Sequence, residues 1–308
     1  MDIRELPRLN KFVFQPTSCP ICEHDKSETH HVITRFEQGN LKFVRCHNCG
    51  TVYQNPRPDA TSMHAFYESQ NFFRGSEGKN QFVGYVDYDA DEQIRLKNAY
   101  YRLKEVEQMF SAGRKLNILK IACGYGTFVK VANDAGHYAQ GIDFSNVMVD
   151  GARQRYGIEL IAANFLEHDF GDETFDCILL YGAINNFVDI LALGRKVSEL
   201  LAPGGIYLSN FIETGSLIER IQKSHFWLYR PPIIGIWSAA NFINAHTPFG
   251  LQLHKLFSDV QWVTIGRLAG YLQSWRLLKL LSWAGLHNVF LRIPTPGYVK
   301  VALRRKPN

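Results

Sequence analysis

Two groups of residues in this 308-residue chain have types and spacings that can do chemistry. The first is the small-residue turn Ala122-Cys123-Gly124-Tyr125-Gly126, with Asp143 nineteen positions beyond Gly124. Such a turn presents backbone N–H groups to an anionic group, and a carboxylate at that distance can accept hydrogen bonds from both hydroxyls of a ribose. The second is Cys19-Pro-Ile-Cys22 followed by Cys46-His-Asn-Cys49. Each pair sets two thiolates on one tight turn, and two such turns complete a tetrahedral Zn²⁺ shell. Four thiolates leave no open position, so the expected ion is structural, and His24, His30, His31 and His47 nearby are surplus to it. A pair of disulfides would call for an oxidising compartment, and Met1 to Arg8 carries mixed charge with no apolar signal region.

The elements that must hold these residues follow from the apolar pattern. Ile118 to Ile121 reads as a strand running into the glycine turn, Phe128 to about Ala135 as a helix, and Ala139 to Ile142 as the strand that delivers Asp143. The alternation continues with helix Ser145–Tyr156, strands Glu159–Ala162 and Phe175–Leu180, helix Val188–Leu201 and strand Gly205–Phe211. Strands alternating with helices predict an α/β fold with a doubly wound, mostly parallel sheet, its ligands at the carboxyl ends of the strands. Upstream, Val32–Phe36 and Leu41–Arg45 flank Gln38-Gly39-Asn40 as a hairpin between the two cysteine pairs. Helical patterns cover about Ala60–Phe73 and Ala90–Phe110, with Gly75 to Asn80 a polar joint between them. The expected organisation is a zinc ribbon over 1–58, a helical connector over the cofactor site at 59–112, and an α/β domain at 113–308.

Composition fits a soluble globular protein, with 46% hydrophobic and 20% charged residues. No apolar run reaches the length of a membrane span, so a cytoplasmic location is the expectation. The net charge of +5 is mild, and basic residues cluster only at Arg304-Arg305-Lys306. Phosphate contact would call for denser clusters, which argues against a nucleic-acid partner. Cys123 and Cys177 sit in apolar runs and read as buried small hydrophobes.

Residues 116–212 resemble a class I S-adenosylmethionine-dependent methyltransferase. Leu119 to Phe128 is similar to the family's first motif, and Gly141-Ile142-Asp143 to its second-strand acid. Phe175-Asp176 and Leu200-Leu201-Ala202-Pro203-Gly204-Gly205 match the strand starts that follow. Leu286–Ile293, Pro294-Thr295-Pro296-Gly297 and Tyr298–Leu303 resemble the closing antiparallel hairpin. The cysteine pairs with Asn55-Pro56-Arg57-Pro58 resemble a subgroup that joins a zinc ribbon to this domain. The third glycine of a dinucleotide fingerprint is missing, since Val129 stands there.

The resemblance implies a seven-stranded, Rossmann-like sheet and S-adenosylmethionine as cofactor. Asp143 would then hold the ribose, Gly124 and Gly126 line the methionine end, and Asn164 sit by the adenine. Lys120, Ala122, Cys123, Phe144, Phe165 and Tyr181 complete the expected cofactor-binding set. Two positions depart from the family. Lys120 stands where an acidic residue commonly supports the cofactor's ammonium group, and Ala122 replaces a glycine. Like charges at roughly 6 Å and an effective dielectric near 20 repel by about 3 kcal/mol, unless the lysine turns to the cofactor's carboxylate.

Asn185-Asn186 stands where many relatives carry Glu-His. Amides orient an acceptor without taking its proton, so an already nucleophilic acceptor, such as an amine or carboxylate, needs no base here; the expected acceptor is a small molecule, a sugar or another biosynthetic intermediate. A base for any other acceptor would come from the aromatic-rich insertion at 213–272, through His225, Tyr229, His246 or His254. His246 is the first choice there because Asn244 to Pro248 is a polar break. The insertion reads as a lid or wall over the pocket, or else as a helical homodimer interface or extra core. Tyr85 and Tyr88 are read as closing over the cofactor or packing on the helix they precede. A catalytically silent binding protein and an RNA methyltransferase are the alternative readings.

Overall fold

The computed structural model describes residues 13–33, 41–68, 91–222, 226, 229, 233–266, 279–281 and 283–307. The expected turn at 38–40, the joint at 75–80, the end of the first helical pattern, Tyr85, Tyr88 and His225 lie outside these. Among the described residues, seven strands form the main sheet in the order β12-β13-β10-β9-β6-β7-β8. Their ranges are β6 Asn117–Ile121, β7 Tyr138–Asp143, β8 Ile161–Ala162, β9 Phe175–Leu180, β10 Leu201–Ile212, β12 Leu251–Thr264 and β13 Phe290–Arg305. The strands from β8 to β10 are parallel, and β13 runs antiparallel to both its neighbours. The helices that cross between parallel strands are α3 Thr127–Asp134, α4 Asn146–Tyr156 and α5 Ile190–Leu200. Ahead of them come α1 Ala60–Glu68 and α2 Glu92–Glu107.

The chain leaves β6 towards β7 on one side, and later enters β9 on the other side of β6. That reversal opens a crevice at the carboxyl ends of β6 and β9, the place where such sheets bind ligands. β6 is buried along nearly its whole length, with Ile118 and Leu119 fully covered, as a strand with helices on both faces must be. Val106 of α2 and Val131 of α3 pack on one face of the sheet, and Leu193 and Val197 of α5 pack on the other.

The amino-terminal region forms a second sheet of β2 Ser27–Ile33, β3 Leu41–Cys46 and β4 Val52–Gln54, in the order β11-β4-β3-β2. Its fourth strand, β11 Gly235–Ile236, comes from the 213–272 segment and pairs antiparallel with β4. Two short strands, β1 Phe14–Gln15 and β5 Arg57–Pro58, pair separately. The ribbon therefore does not close on itself at residue 58. Tyr53 and Cys46 share a core with Trp237 and Phe242, and Phe43 and Val52 share another with Ile212, Phe226 and Tyr229.

Two expectations about the end of the chain change. Pro294 to Gly297 is not the turn of a hairpin between its own flanks: it begins a bulge in β13, whose hairpin partner is β12, with Val260 opposite Pro294 and Ser258 opposite Val299. Pairing of β13 with β10 begins only at Tyr298, so the prolines lie where no second neighbour needs their missing N–H. β12 also belongs to the main sheet, so the expected insertion 213–272 contains a sheet strand. Within that segment lie α6 Leu217–Gln222 and α7 Ala239–His246. No helix among the described residues is long and apolar enough to cross a membrane.

Candidate functional site

The turn after β6 takes left-handed backbone angles three times, at Ala122 (φ 50°), Gly124 (55°) and Gly126 (68°). Glycine adopts these angles freely, whereas alanine is strained there by roughly 1–2 kcal/mol. The strained alanine has a neighbour that answers it. Lys120 is 6% exposed, and its Nζ donates to the carbonyl oxygens of Ile121 (2.6 Å) and Ala122 (3.1 Å). The two departures from the family thus meet: the lysine bridges the carbonyls on either side of the strained residue's amide. Burial pushes the Lys120 ammonium down to about 8, which leaves it mostly charged at neutral pH.

Asp143 ends β7 at the edge of this turn and is 9% exposed. Its Oδ2 accepts the Gly124 N–H at 2.8 Å, and its Oδ1 accepts the Ser145 N–H at 3.1 Å. Backbone donors thereby hold the carboxylate beside the glycines. Cys123 lies between, and a Cβ on Gly141 would come within 2.8 Å of its Sγ, so the glycine of β7 makes room for the thiol. Burial, then the Asp143 charge, push that thiol well above its usual range, and it stays protonated rather than nucleophilic.

The remaining expected cofactor residues divide. Phe144 follows Asp143 and meets His64 and Tyr67 of α1, each with ring centroids 5.3 Å away. Asn164 is exposed, with Nδ2 donating to Glu167 Oε1 (2.8 Å) and Oδ1 accepting from Leu166 N (3.1 Å). Its side chain builds the local turn. Phe165 points into the core beside Phe170. Tyr181, just past β9, is 6% exposed and its hydroxyl has no hydrogen-bond partner. The Arg102 guanidinium of α2 stacks 4.4 Å above its ring. Sequence reasoning did not single out Arg102, which is 79 positions from Tyr181; only the packing of α2 over β9 brings them together.

Behind Tyr181 runs a buried polar chain. Gly182 N–H donates to Asn210 Oδ1 (2.7 Å), and Asn210 Nδ2 donates to Asp259 Oδ2 (2.9 Å). Lys300, fully buried, lies 3.6 Å from Asp259 Oδ1, an ion pair without a hydrogen bond, and donates to both oxygens of Glu105 at 2.8 and 2.6 Å. Four elements, α2, β10, β12 and β13, are tied in this way to the backbone at the end of β9.

The expected catalytic residues sit in different surroundings. Asn185 lies in a 3₁₀ turn, Ile184–Asn186, and is 5% exposed. Its Nδ2 donates to Gly235 O (2.7 Å), its Oδ1 accepts Ile212 N–H (2.9 Å), and its own carbonyl accepts Ile234 N–H (2.7 Å). Both ends of this amide are spent on backbone. Asn186 differs: its Oδ1 is buried without a partner. His246 is apart from the crevice, 0% exposed at the end of α7, with Nδ1 against Phe242 O at 2.7 Å. It packs on Phe242 and Tyr207, and a Cβ on Gly194 of α5 would come within 2.9 Å of it. Desolvation pushes it down to about 4, so it is a neutral core residue that no acceptor can reach. Tyr229 is buried against His30 (2.9 Å) and Glu219 (2.5 Å), and His254 lies beside Arg304 near the start of β12.

The four ribbon thiols converge. Sγ atoms of Cys19 and Cys49 are 3.5 Å apart, those of Cys22 and Cys46 3.6 Å, and all four lie within 4.8 Å of one another. Zn–S bonds of about 2.3 Å put sulfurs about 3.8 Å apart in a tetrahedron, so the set fits such an ion. It does not fit a disulfide, whose sulfurs lie about 2.05 Å apart.

Comparison with known proteins agrees with this geometry. Residues 118–205 match a family model described as a methyltransferase domain. The demethylmenaquinone methyltransferase of Bacillus licheniformis is 31% identical over 215 residues, 67% of this chain and 85% of that protein. That of Staphylococcus saprophyticus is 23% identical, over 61% of this chain and 77% of that protein. A solved complex of the Haloferax volcanii Trm112 methyltransferase activator with a methyltransferase contains a chain of the same fold. It has a TM-score of 0.51 and 17% identity, over 71% of this chain and 92% of that one. The turn, the acid that follows it, the strand order and this kinship agree: the chain belongs to the class I S-adenosylmethionine-dependent methyltransferases.

Proposed function

We propose that this methyltransferase acts on a small organic acceptor that brings its own nucleophile, with Asn186 as its handle. The buried, unpartnered Oδ1 of Asn186, beside an Asn185 already committed to backbone, carries this reading. An unsatisfied buried acceptor costs about 1–3 kcal/mol, and a donor on the incoming molecule recovers that cost. The bound cofactor supplies a sulfonium-activated methyl group. The chain's work is then to hold the ribose through Asp143, present the methionine end to the glycine turn, and align the acceptor in line with the transferred group.

Of the histidines expected as bases, His246 is buried in the core and His254 lies beside Arg304 at the start of β12, which supports an acceptor such as an amine or a carboxylate over one that must first lose a proton. The named substrates of the bacterial relatives are also small organic molecules. We further propose that the four ribbon cysteines hold Zn²⁺ structurally, since all four ligands come from the chain. Methyl-labelled cofactor, incubated with the protein and with cell extract split by ultrafiltration, tests the acceptor class. Label is expected in the small-molecule fraction. Label confined to RNA or protein would refute the proposal.

A further inference from the structure

The end of β6 and the end of β9 hold two cations and an unmatched phenol. Lys120 has three ammonium protons, two of them given to the carbonyls of Ile121 and Ala122. Arg102 lies close enough to press on the Lys120 ammonium electrostatically, and among the described residues no carboxylate pairs with its guanidinium. Tyr181 lies under Arg102 with its hydroxyl buried and unpartnered. Like charges brought together beside an unsatisfied donor are costly by themselves and favourable once an anion is received. Asp143, the acid close by, is turned to the backbone amides of Gly124 and Ser145 and marks the ribose side.

We infer that Lys120, Arg102 and Tyr181 form a carboxylate cradle, and that this chain reads the methionine arm of its cofactor by the carboxylate rather than by the ammonium group. The inference rests on the cofactor assignment and adds an orientation to it. The family resemblance places an acid at this strand end, where it would reward the positive end of the amino-acid arm. Here the reversed charge at position 120 rewards the negative end, and Arg102 and Tyr181 complete the reversal from α2 and β9. Tyr181 donates its O–H, Arg102 its N–H groups and Lys120 its third proton, which gives the carboxylate charge-assisted partners on more than one side. The arrangement sets which cofactor analogues the protein accepts.

Calorimetric titration of the full chain with four ligands tests this. S-adenosylhomocysteine carries the whole arm, and decarboxylated S-adenosylhomocysteine keeps only the ammonium. The deaminated analogue S-adenosyl-4-thiobutyrate keeps only the carboxylate, and 5′-methylthioadenosine lacks both. Loss of the carboxylate is expected to weaken binding about 100-fold, the size of a buried charge-assisted contact, and loss of the ammonium less than about 5-fold. Arg102→Leu and Lys120→Met should each shrink the ratio between the affinities for the carboxylate and ammonium analogues, and a urea midpoint close to that of the parent protein shows that the variants fold. Equal affinity of the two one-charge analogues, or a preference for the ammonium, overturns the inference and leaves the cofactor assignment standing. Failure of all four ligands to bind removes both.

Discussion

Asn185 offers the sharpest separation of a structural from a catalytic role. Asn185→Ala removes the acceptor for Ile212 N–H and the donor to Gly235 O, and both backbone groups belong to buried residues. Each group left unsatisfied costs about 1–3 kcal/mol, so the pair amounts to about 2–6 kcal/mol. A typical native protein has only about 5–15 kcal/mol in total, so the loss is a large fraction of the stability. Asn185→Asp should be at least as damaging, because it places a carboxylate oxygen against the Gly235 carbonyl. Asn186→Ala is the control: it removes an oxygen that has no hydrogen-bond partner, so stability should hold or rise, by up to about 1–3 kcal/mol. Urea unfolding of the full chain, followed by tryptophan fluorescence, reads all three, and at constant slope the midpoint shift gives the stability change. The expected pattern is a large drop for Asn185→Ala, no drop for Asn186→Ala, and a raised acceptor KM only for the latter among folded variants. An unchanged midpoint for Asn185→Ala would refute the reasoning and return Asn185 to the acceptor site.

Three other outcomes follow from the geometry. Ala122→Gly relieves a left-handed alanine, and after the entropy cost of glycine a gain of up to about 1 kcal/mol is expected in the same urea assay; a loss would mean that the Ala122 methyl group packs usefully. His246 has an ordinary value of 6.5 and a folded value of about 4, so the unfolded chain takes up its proton first as pH falls. Its share of stability is full above 6.5 and is lost as pH falls towards 4, by up to about 3 kcal/mol, and His246→Leu should flatten that slope of the unfolding midpoint against pH. Metal analysis of the purified protein should find one zinc per chain. Stripping that zinc should raise amide hydrogen exchange at Val52–Gln54 and at Gly235–Ile236 together, since β4 and β11 pair; exchange confined to the ribbon would sever the link.

What could be read from sequence was what is local in sequence. The glycine turn and Asp143 stand out because one strand, one turn and one crossover fix their spacing, and the cysteine pairs stand out because each sits on a single tight turn. Arg102 and Tyr181 could not be matched this way, since α2 must first pack across the sheet. β11 is two residues long, too short for any periodic signal, yet it completes the ribbon's sheet. Pro294 to Gly297 reads as a turn because proline and glycine usually mark one; here they mark a bulge, and the residues on both sides of it pair with β12 instead of with each other. His246 looked accessible within a polar stretch. Its surroundings come from Gly194 and Tyr207, residues far away in the chain whose proximity only the fold supplies.

The borrowed strand β11 has a consequence for the order in which the protein is made. The ribosome releases the four cysteines and β4 early, while the partner of β4, Gly235–Ile236, is added some 180 residues later. At about 5–20 residues per second, the nascent ribbon waits roughly 10–40 seconds with one sheet edge bare. An exposed edge of this kind invites pairing with other chains. A metal ion seated on the cysteines during that interval would hold the half-built module in shape until its last strand emerges.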